Sequence, residues 1–89
     1  MMKPIKIPID GILDLHTFSP KELPELLHDY LNACLDKRIF QVRIIHGKGQ
    51  GIQKARVRRL LSGMALVAKF GDAPPETGGW GATVVQLKH

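Results

Sequence analysis

Cysteine occurs once, at Cys34, in a chain of 89 residues. A lone thiol excludes a disulfide framework and suits a reducing compartment, so a cytoplasmic location is expected. Apolar runs are short. No segment approaches the roughly 20 residues that a membrane span needs. MMKPIKIPID lacks the apolar core of a secretory signal, so no membrane partner is expected. Internal repeats and low-complexity segments are absent. The common nucleotide loops are missing too. A P-loop needs Gly-Lys-Ser/Thr, but Gly49 follows Lys48, and a dinucleotide fingerprint needs Gly or Ala where Ile52 stands. Carboxylates are scarce where they would matter most: none falls between Lys37 and Arg59.

That acid-free stretch holds Lys37, Arg38, Arg43, Lys48, Lys54, Arg56, Arg58 and Arg59, eight of the thirteen basic residues in a chain of net charge +5. Such a run is either a solvated helix face or a surface that tracks phosphates. Its context depends on the elements around it. Residues 1–10, with Pro4 and Pro8, read as an extended N-terminal arm, and 11–89 as a single domain. GILDLH alternates, placing Leu13 and Leu15 on one strand face and Ile12, Asp14 and His16 on the other. TFSPKEL starts a helix, with Ser19 and Glu22 as a capping box, Pro20 in the first turn and Phe18 and Leu23 as a hydrophobic staple. Leu23, Leu26, Leu27, Tyr30, Leu31, Cys34 and Leu35 form its apolar stripe, and Pro24 predicts a distorted or displaced first turn. QVRII is a second strand ending at His46. Residues 52–62 form a second helix with Val57, Leu60 and Leu61 inward and Gly63 as its cap. Residues 65–70 are a third strand. GDAPPETGGWG is a loop of about 11 residues, and ATVVQL is the last strand. The order βαβαββ predicts an α/β fold with two helices and a mixed four-stranded sheet. The early strands pair parallel, and the last returns antiparallel.

Two groups of residues carry chemistry. In HGKGQG the glycines at 47, 49 and 51 permit positive φ and close approach of an anion. The helix behind adds free amides and partial positive charge. The competing reading is a plain strand–helix turn, which would need neither His46 nor Lys48. Asp14 and His16, two apart on a strand, leave one face together, so the carboxylate can orient the imidazole. A metal could use the pair, but no third ligand stands at local spacing, so no metal site is assigned. His28 reads as solvent-facing, His89 as terminal, and Cys34 as core. If the first two strands are neighbours, His16, His46 and Lys48 converge on one sheet edge.

LDLH at 13–16, HGKGQG at 46–51 and GGWGATVVQL at 78–87 together resemble the three signature segments of the Smr (small MutS-related) domain family. The resemblance runs from Leu13 to Leu87. It implies a compact two-layer sandwich similar to the C-terminal domain of translation initiation factor three. Members are nucleases that nick DNA or cleave RNA, including messenger RNA on stalled ribosomes. The resemblance implies cleavage roles for Asp14 and His16. It implies nucleic-acid binding or catalysis for His46, Gly47, Lys48 and Gly49. Thr17 stands where the family usually has glycine. The expected function is therefore an endonuclease, with RNA slightly ahead of DNA as substrate. Asp14 and His16 serve as its acid–base pair, His46 as complementary proton donor, and Lys48 with the loop amides as phosphate binders. Arg43, Gly51, Lys54, Arg56, Arg58, Arg59 and Trp80 complete the expected nucleic-acid surface. Trp80 either stacks on a base or anchors its loop. No cofactor is required on RNA, whereas on DNA a divalent metal (Mg or Mn) would help water attack. The alternative is a non-catalytic RNA- or ribosome-binding module of the same fold.

Overall fold

The computed structural model describes residues 7–47 and 51–89. Lys48, Gly49 and residues 1–6 of the expected arm lie outside the described residues. The elements are β1 (Ile12–Asp14), α1 (Leu23–Asp36), β2 (Gln41–Ile45), α2 (Ile52–Ser62), β3 (Val67–Asp72) and β4 (Ala82–Leu87). A 3-10 turn at Pro20–Glu22 leads into α1, and two more shape the loop before β4.

The start of α1 follows its sequence. The Ser19 amide donates to the Glu22 carboxylate at 2.8 Å, the return half of a capping box. Pro24 falls in the first turn of the α-helix proper, which begins at Leu23 after the 3-10 turn, so the start is displaced as the proline demands. The helix ends on a Schellman motif. Arg38 takes φ +60°, its amide donates to the Leu35 carbonyl at 2.9 Å, and that of Ile39 donates to Cys34 at 2.8 Å. Helix α2 ends at Gly63 without a left-handed residue, since Gly63 has φ −91°.

The sheet order is β1-β2-β4-β3. β1 and β2 pair parallel, Leu13 opposite Ile44, and β4 pairs antiparallel with both β2 and β3. The expected mixed sheet is present, but β4 lies between β2 and β3, so these two never pair. β3 is displaced from the expected 65–70 to Val67–Asp72. Its last residues, Gly71 and Asp72, pair with Val84 and Thr83. Both are poor strand formers by composition, and their cross-strand pairing outweighs that preference.

Leu13, Leu15, Val42, Ile44 and Val85 of the strand segments pack with Leu23, Leu27, Tyr30, Leu31 and Cys34 of α1 and Val57 and Leu61 of α2. Burying each large aliphatic side chain contributes about 1.5–3 kcal/mol. Ile7 and Ile9 pack against the same core. Leu60, expected inward, is only partly buried. The two helices therefore cover one sheet face. The other face carries Ile12, Asp14, Arg43, Ile45 and Val84, with Ile12 45% exposed. Among the described residues no helix is long and apolar enough to cross a membrane.

One buried polar group fixes where β1 begins. The Tyr30 hydroxyl accepts from the Gly11 amide at 3.2 Å and donates to the Ile12 carbonyl at 3.1 Å. Burial pushes its pKa up to about 12, so the phenol stays protonated and able to donate. The tyrosine thus ties the middle of α1 to the start of the strand that presents Asp14 at its end.

Candidate active site

Asp14 is the last residue of β1, and its Oδ1 accepts from both the backbone amide and the imidazole of His16, at 3.0 and 2.9 Å. The first contact is an Asx turn, in which a short carboxylate captures the amide two residues on. This competition ends the regular strand two residues before the expected His16. Leu15 still donates to the Ile45 carbonyl at 2.9 Å, so the turn stays bound to β2. The His16 backbone amide, then its imidazole, hold the Asp14 carboxyl below the usual range. Asp14 is therefore anionic and can only accept, which places the proton of the contact on His16 Nδ1. In the neutral ring Nε2 then keeps its lone pair for another partner. The His16 side chain is 76% exposed, so that nitrogen is open to a substrate.

His46 follows β2 on the other side of the sheet. The register continues Val42 and Ile44, which face the helices, whereas Asp14 pairs with Ile45 on the uncovered face. His46 Nε2 lies 2.8 Å from Thr83 Oγ1 and Nδ1 lies 3.0 Å from the Gly47 carbonyl. Burial is the main cause that lowers its pKa; Lys54 and Arg58 add to it, while the Gly47 carbonyl and Asp72 oppose. The two histidines thus follow neighbouring strands, but Asp14, which holds the His16 ring, and His46 lie toward different sheet faces. Among the described residues no hydrogen bond or ion pair joins Asp14 or His16 to His46.

The GGWG turn holds the start of the glycine-rich loop. The amides of His46 and Gly47 both donate to the Gly81 carbonyl, at 3.1 and 2.9 Å. The Gly47 amide is therefore engaged inside the protein. Gly51, at φ +79°, is the residue before α2, and a Cβ there would come within 3.1 Å of the Trp80 ring. Glycine is required at 51 on both counts. Gly78 makes the turn possible: it has φ +123°, and an added Cβ would lie 2.9 Å from that of Ala82. Trp80 also has Lys54 Nζ 4.3 Å from its ring centroid, so the indole anchors the loop on one side while staying 45% exposed. The first turn of α2 carries no acidic residue, and its first amides have no intrahelical acceptors.

The basic residues divide into three groups. Lys54, only 8% exposed, pairs with Asp72 at 2.8 Å, and Arg58 donates to the same carboxylate. Hydrogen bonding to Lys54 is the main cause that lowers the Asp72 pKa. These two cations are half-neutralised at the junction of α2 and β3. Arg56 and Arg59 are exposed on the outer side of α2. Arg43 lies on the uncovered sheet face, opposite Ile12 and Val84, with its Nε lacking a partner among the described residues. Magnesium or manganese would want oxygen ligands; Asp72 is engaged by two cations, and no group of three His, Cys, Asp or Glu stands together among the described residues.

Thr83, Asp72 and Gly81 escaped the sequence reading as site residues. Thr83 had a signal: in ATVVQL it shares the parity of Val85 and Leu87, and a core-facing hydroxyl needs a partner.

Comparison with known proteins agrees with this architecture. The Smr domain family model matches residues 13–88. The chain belongs to the Smr domain family. It is 39% identical over 75 residues to Endonuclease MutS2 of Helicobacter pylori, matching 84% of this chain and 10% of that protein. The Carboxydothermus hydrogenoformans Endonuclease MutS2 is 38% identical over 76 residues, 85% of this chain and 10% of that protein. The chain thus spans about a tenth of the length of these curated relatives. The crystal structure of the Smr domain of Thermus thermophilus MutS2 superposes with TM-score 0.82 at 32% identity, covering 89% of this chain and 99% of that one. YdaL, a stand-alone small MutS-related protein from Escherichia coli, superposes with TM-score 0.83 at 28% identity, covering 92% of this chain and 67% of that one.

Proposed function

We propose that this Smr domain is an endonuclease that cleaves phosphodiester bonds, with RNA ahead of DNA as substrate. The observation that carries the reading is the Asp14–His16 pair: a carboxylate fixes the proton on Nδ1 and leaves Nε2 exposed at a sheet edge. Its neighbour across the edge is the strand that feeds the glycine-rich loop. Family membership and the MutS2 endonuclease relatives support the same class of reaction.

On RNA the chemistry needs few groups. His16 Nε2 takes the proton of the ribose 2′-hydroxyl, and the oxygen attacks the adjacent phosphorus. The P–O5′ bond breaks, and the leaving oxygen takes a proton from the solvent that reaches this exposed edge. The products are a cyclic 2′,3′-phosphate and a 5′-hydroxyl. Asp14 stabilises the imidazolium formed midway. Lys48 and the first amides of α2 meet the charge on the phosphate, in the manner of helix N-termini generally. Exposed Arg56 and Arg59 hold the backbone on either side without reading bases.

The test is a structured RNA with a single 2′-deoxy sugar at the cut site. Cleavage is expected to stop there, with 5′-hydroxyl ends on the parent substrate in the presence of EDTA. Unchanged cutting of the deoxy substrate, or 5′-phosphate ends that need a divalent ion, would replace this mechanism with metal-assisted hydrolysis. Binding of RNA with no cleavage under either condition would make the domain a binding module.

A further inference from the structure

The glycine-rich loop begins with a histidine whose ring has no free nitrogen. His46 Nδ1 faces the Gly47 carbonyl at 3.0 Å, and Nε2 faces the Thr83 hydroxyl at 2.8 Å. A carbonyl only accepts, so Nδ1 carries a proton. In the neutral ring Nε2 is then an acceptor, and the Thr83 hydroxyl is the donor that satisfies it. The groups facing this ring disfavour a second proton. From α2 come the cations Lys54 and Arg58; from β3 comes Asp72, whose charge is already shared between those two. From β4 comes Thr83 itself, fully buried. Thr83 sits in the central strand, paired with Ile44 on one side and Asp72 on the other, so its position is held from both.

We infer that Thr83 is the positioning residue of the glycine-rich loop: its hydroxyl holds Nε2 of the His46 ring whose Nδ1–H the Gly47 carbonyl fixes, and His46 works as a neutral pin rather than as a proton donor to the leaving group. The pinned ring holds the Gly47 carbonyl while Gly81 holds the amides of His46 and Gly47. Together they fix the backbone at His46 and Gly47, where the glycine-rich loop begins. This refines the nuclease reading and rests on it only for the cleavage arm of the test. It also explains why a hydroxyl occupies a core-facing position in line with Val85 and Leu87.

The experiment compares the chain with Thr83→Ser and Thr83→Val. Valine matches threonine in shape, so the buried position stays filled, and serine restores the hydroxyl. Long-range proton–nitrogen spectra of the imidazoles report tautomer and charge directly. The parent and Thr83→Ser are expected to show His46 as the neutral Nδ1–H form at pH 7.5. Thr83→Val is expected to lose the hydrogen bond at Nε2, read as a shift of that nitrogen's resonance toward that of an unbonded ring nitrogen. Loss of one hydrogen bond predicts that Thr83→Val binds a short RNA about 2- to 10-fold more weakly, and that Thr83→Ser recovers most of it. A cationic or Nε2–H ring in the parent, or a ring unaffected by Thr83→Val, would overturn the assignment. Cleavage adds an independent arm. His46→Gln is expected to raise KM far more than it lowers kcat, whereas a kcat loss of about 100-fold or more would mark a proton donor. Should the parent cleave nothing, the nuclease reading fails, and the spectra still decide the role of Thr83.

Discussion

At the scale of single residues, His16 and His46 sit in opposite environments. His16 is exposed and oriented by a carboxylate; His46 is half-buried with both nitrogens engaged. His16→Ala is expected to reduce cleavage by about 100-fold or more, the low end of general acid–base effects. The fold and RNA affinity should survive, because the side chain packs against nothing in the core; circular dichroism and a binding isotherm check both. His46 should be visible in stability instead. Its native pKa lies below the ordinary value of about 6.5. The native state therefore favours the neutral ring. That contribution is fully present above the ordinary value and is lost as pH falls through the lowered native one. Denaturant midpoints at pH 7.5 and 5.5 should drop more on acidification in the parent than in His46→Gln. Equal drops would show that this ring is not linked to folding.

Among the elements, the end of α1 is where the sequence strays furthest from the ideal for its geometry. Arg38 occupies the left-handed position of a Schellman motif, at φ +60°. A side chain there costs roughly 1–2 kcal/mol, part of which glycine would give back in unfolded-state entropy. Arg38→Gly is thus expected to stabilise the chain by about 0.5–1 kcal/mol, read as a shift in the denaturant midpoint at constant slope. A decrease would mean that the arginine side chain itself holds the turn. The loop before β4 departs from expectation for a related reason. GDAPPETGGWG reads as a loop of about 11 residues. Instead Gly71 and Asp72 extend β3, and two 3-10 turns close the rest, with Thr77 and Gly79 amides both donating to the Pro74 carbonyl.

Across the whole molecule, the positive charge is larger on paper than on the surface. Asp72 takes up Lys54 and Arg58, and Trp80 covers the Lys54 ammonium. Removing that carboxylate releases two cations beside the glycine-rich loop. Asp72→Asn is expected to bind unrelated sequences more tightly and to steepen the dependence of log affinity on log salt by about 1–2. The opposite change, Arg56→Glu with Arg59→Glu, should weaken all sequences about equally and flatten that slope by a similar amount. Fluorescence anisotropy over a salt series measures both. An unchanged slope in Asp72→Asn would mean that Lys54 and Arg58 do not reach the nucleic acid.

Local signals carried most of the architecture. The bounds of β2, α2 and β4 are those that alternation, a glycine turn and a helical period mark out, because each is specified by near neighbours. The pairing of Asp14 with His16 was equally local: two residues apart on an extended chain, they meet without help from the rest of the fold. What only the tertiary structure decided was which side of the sheet each group faces and what lies across from it. His46 looked like a partner for His16, but the parallel register of β1 and β2 turns Asp14, which holds the His16 ring, to the face away from the helices, whereas His46 reaches Thr83 on the helix side. Lys54 and Arg58 looked like free phosphate ligands until β3 brought Asp72 beneath them. Thr83 meets His46 because β4 inserts between β2 and β3, bringing position 83 to position 46 across 37 residues of chain. Those contacts depend on non-local strand order, which no window of neighbouring residues contains.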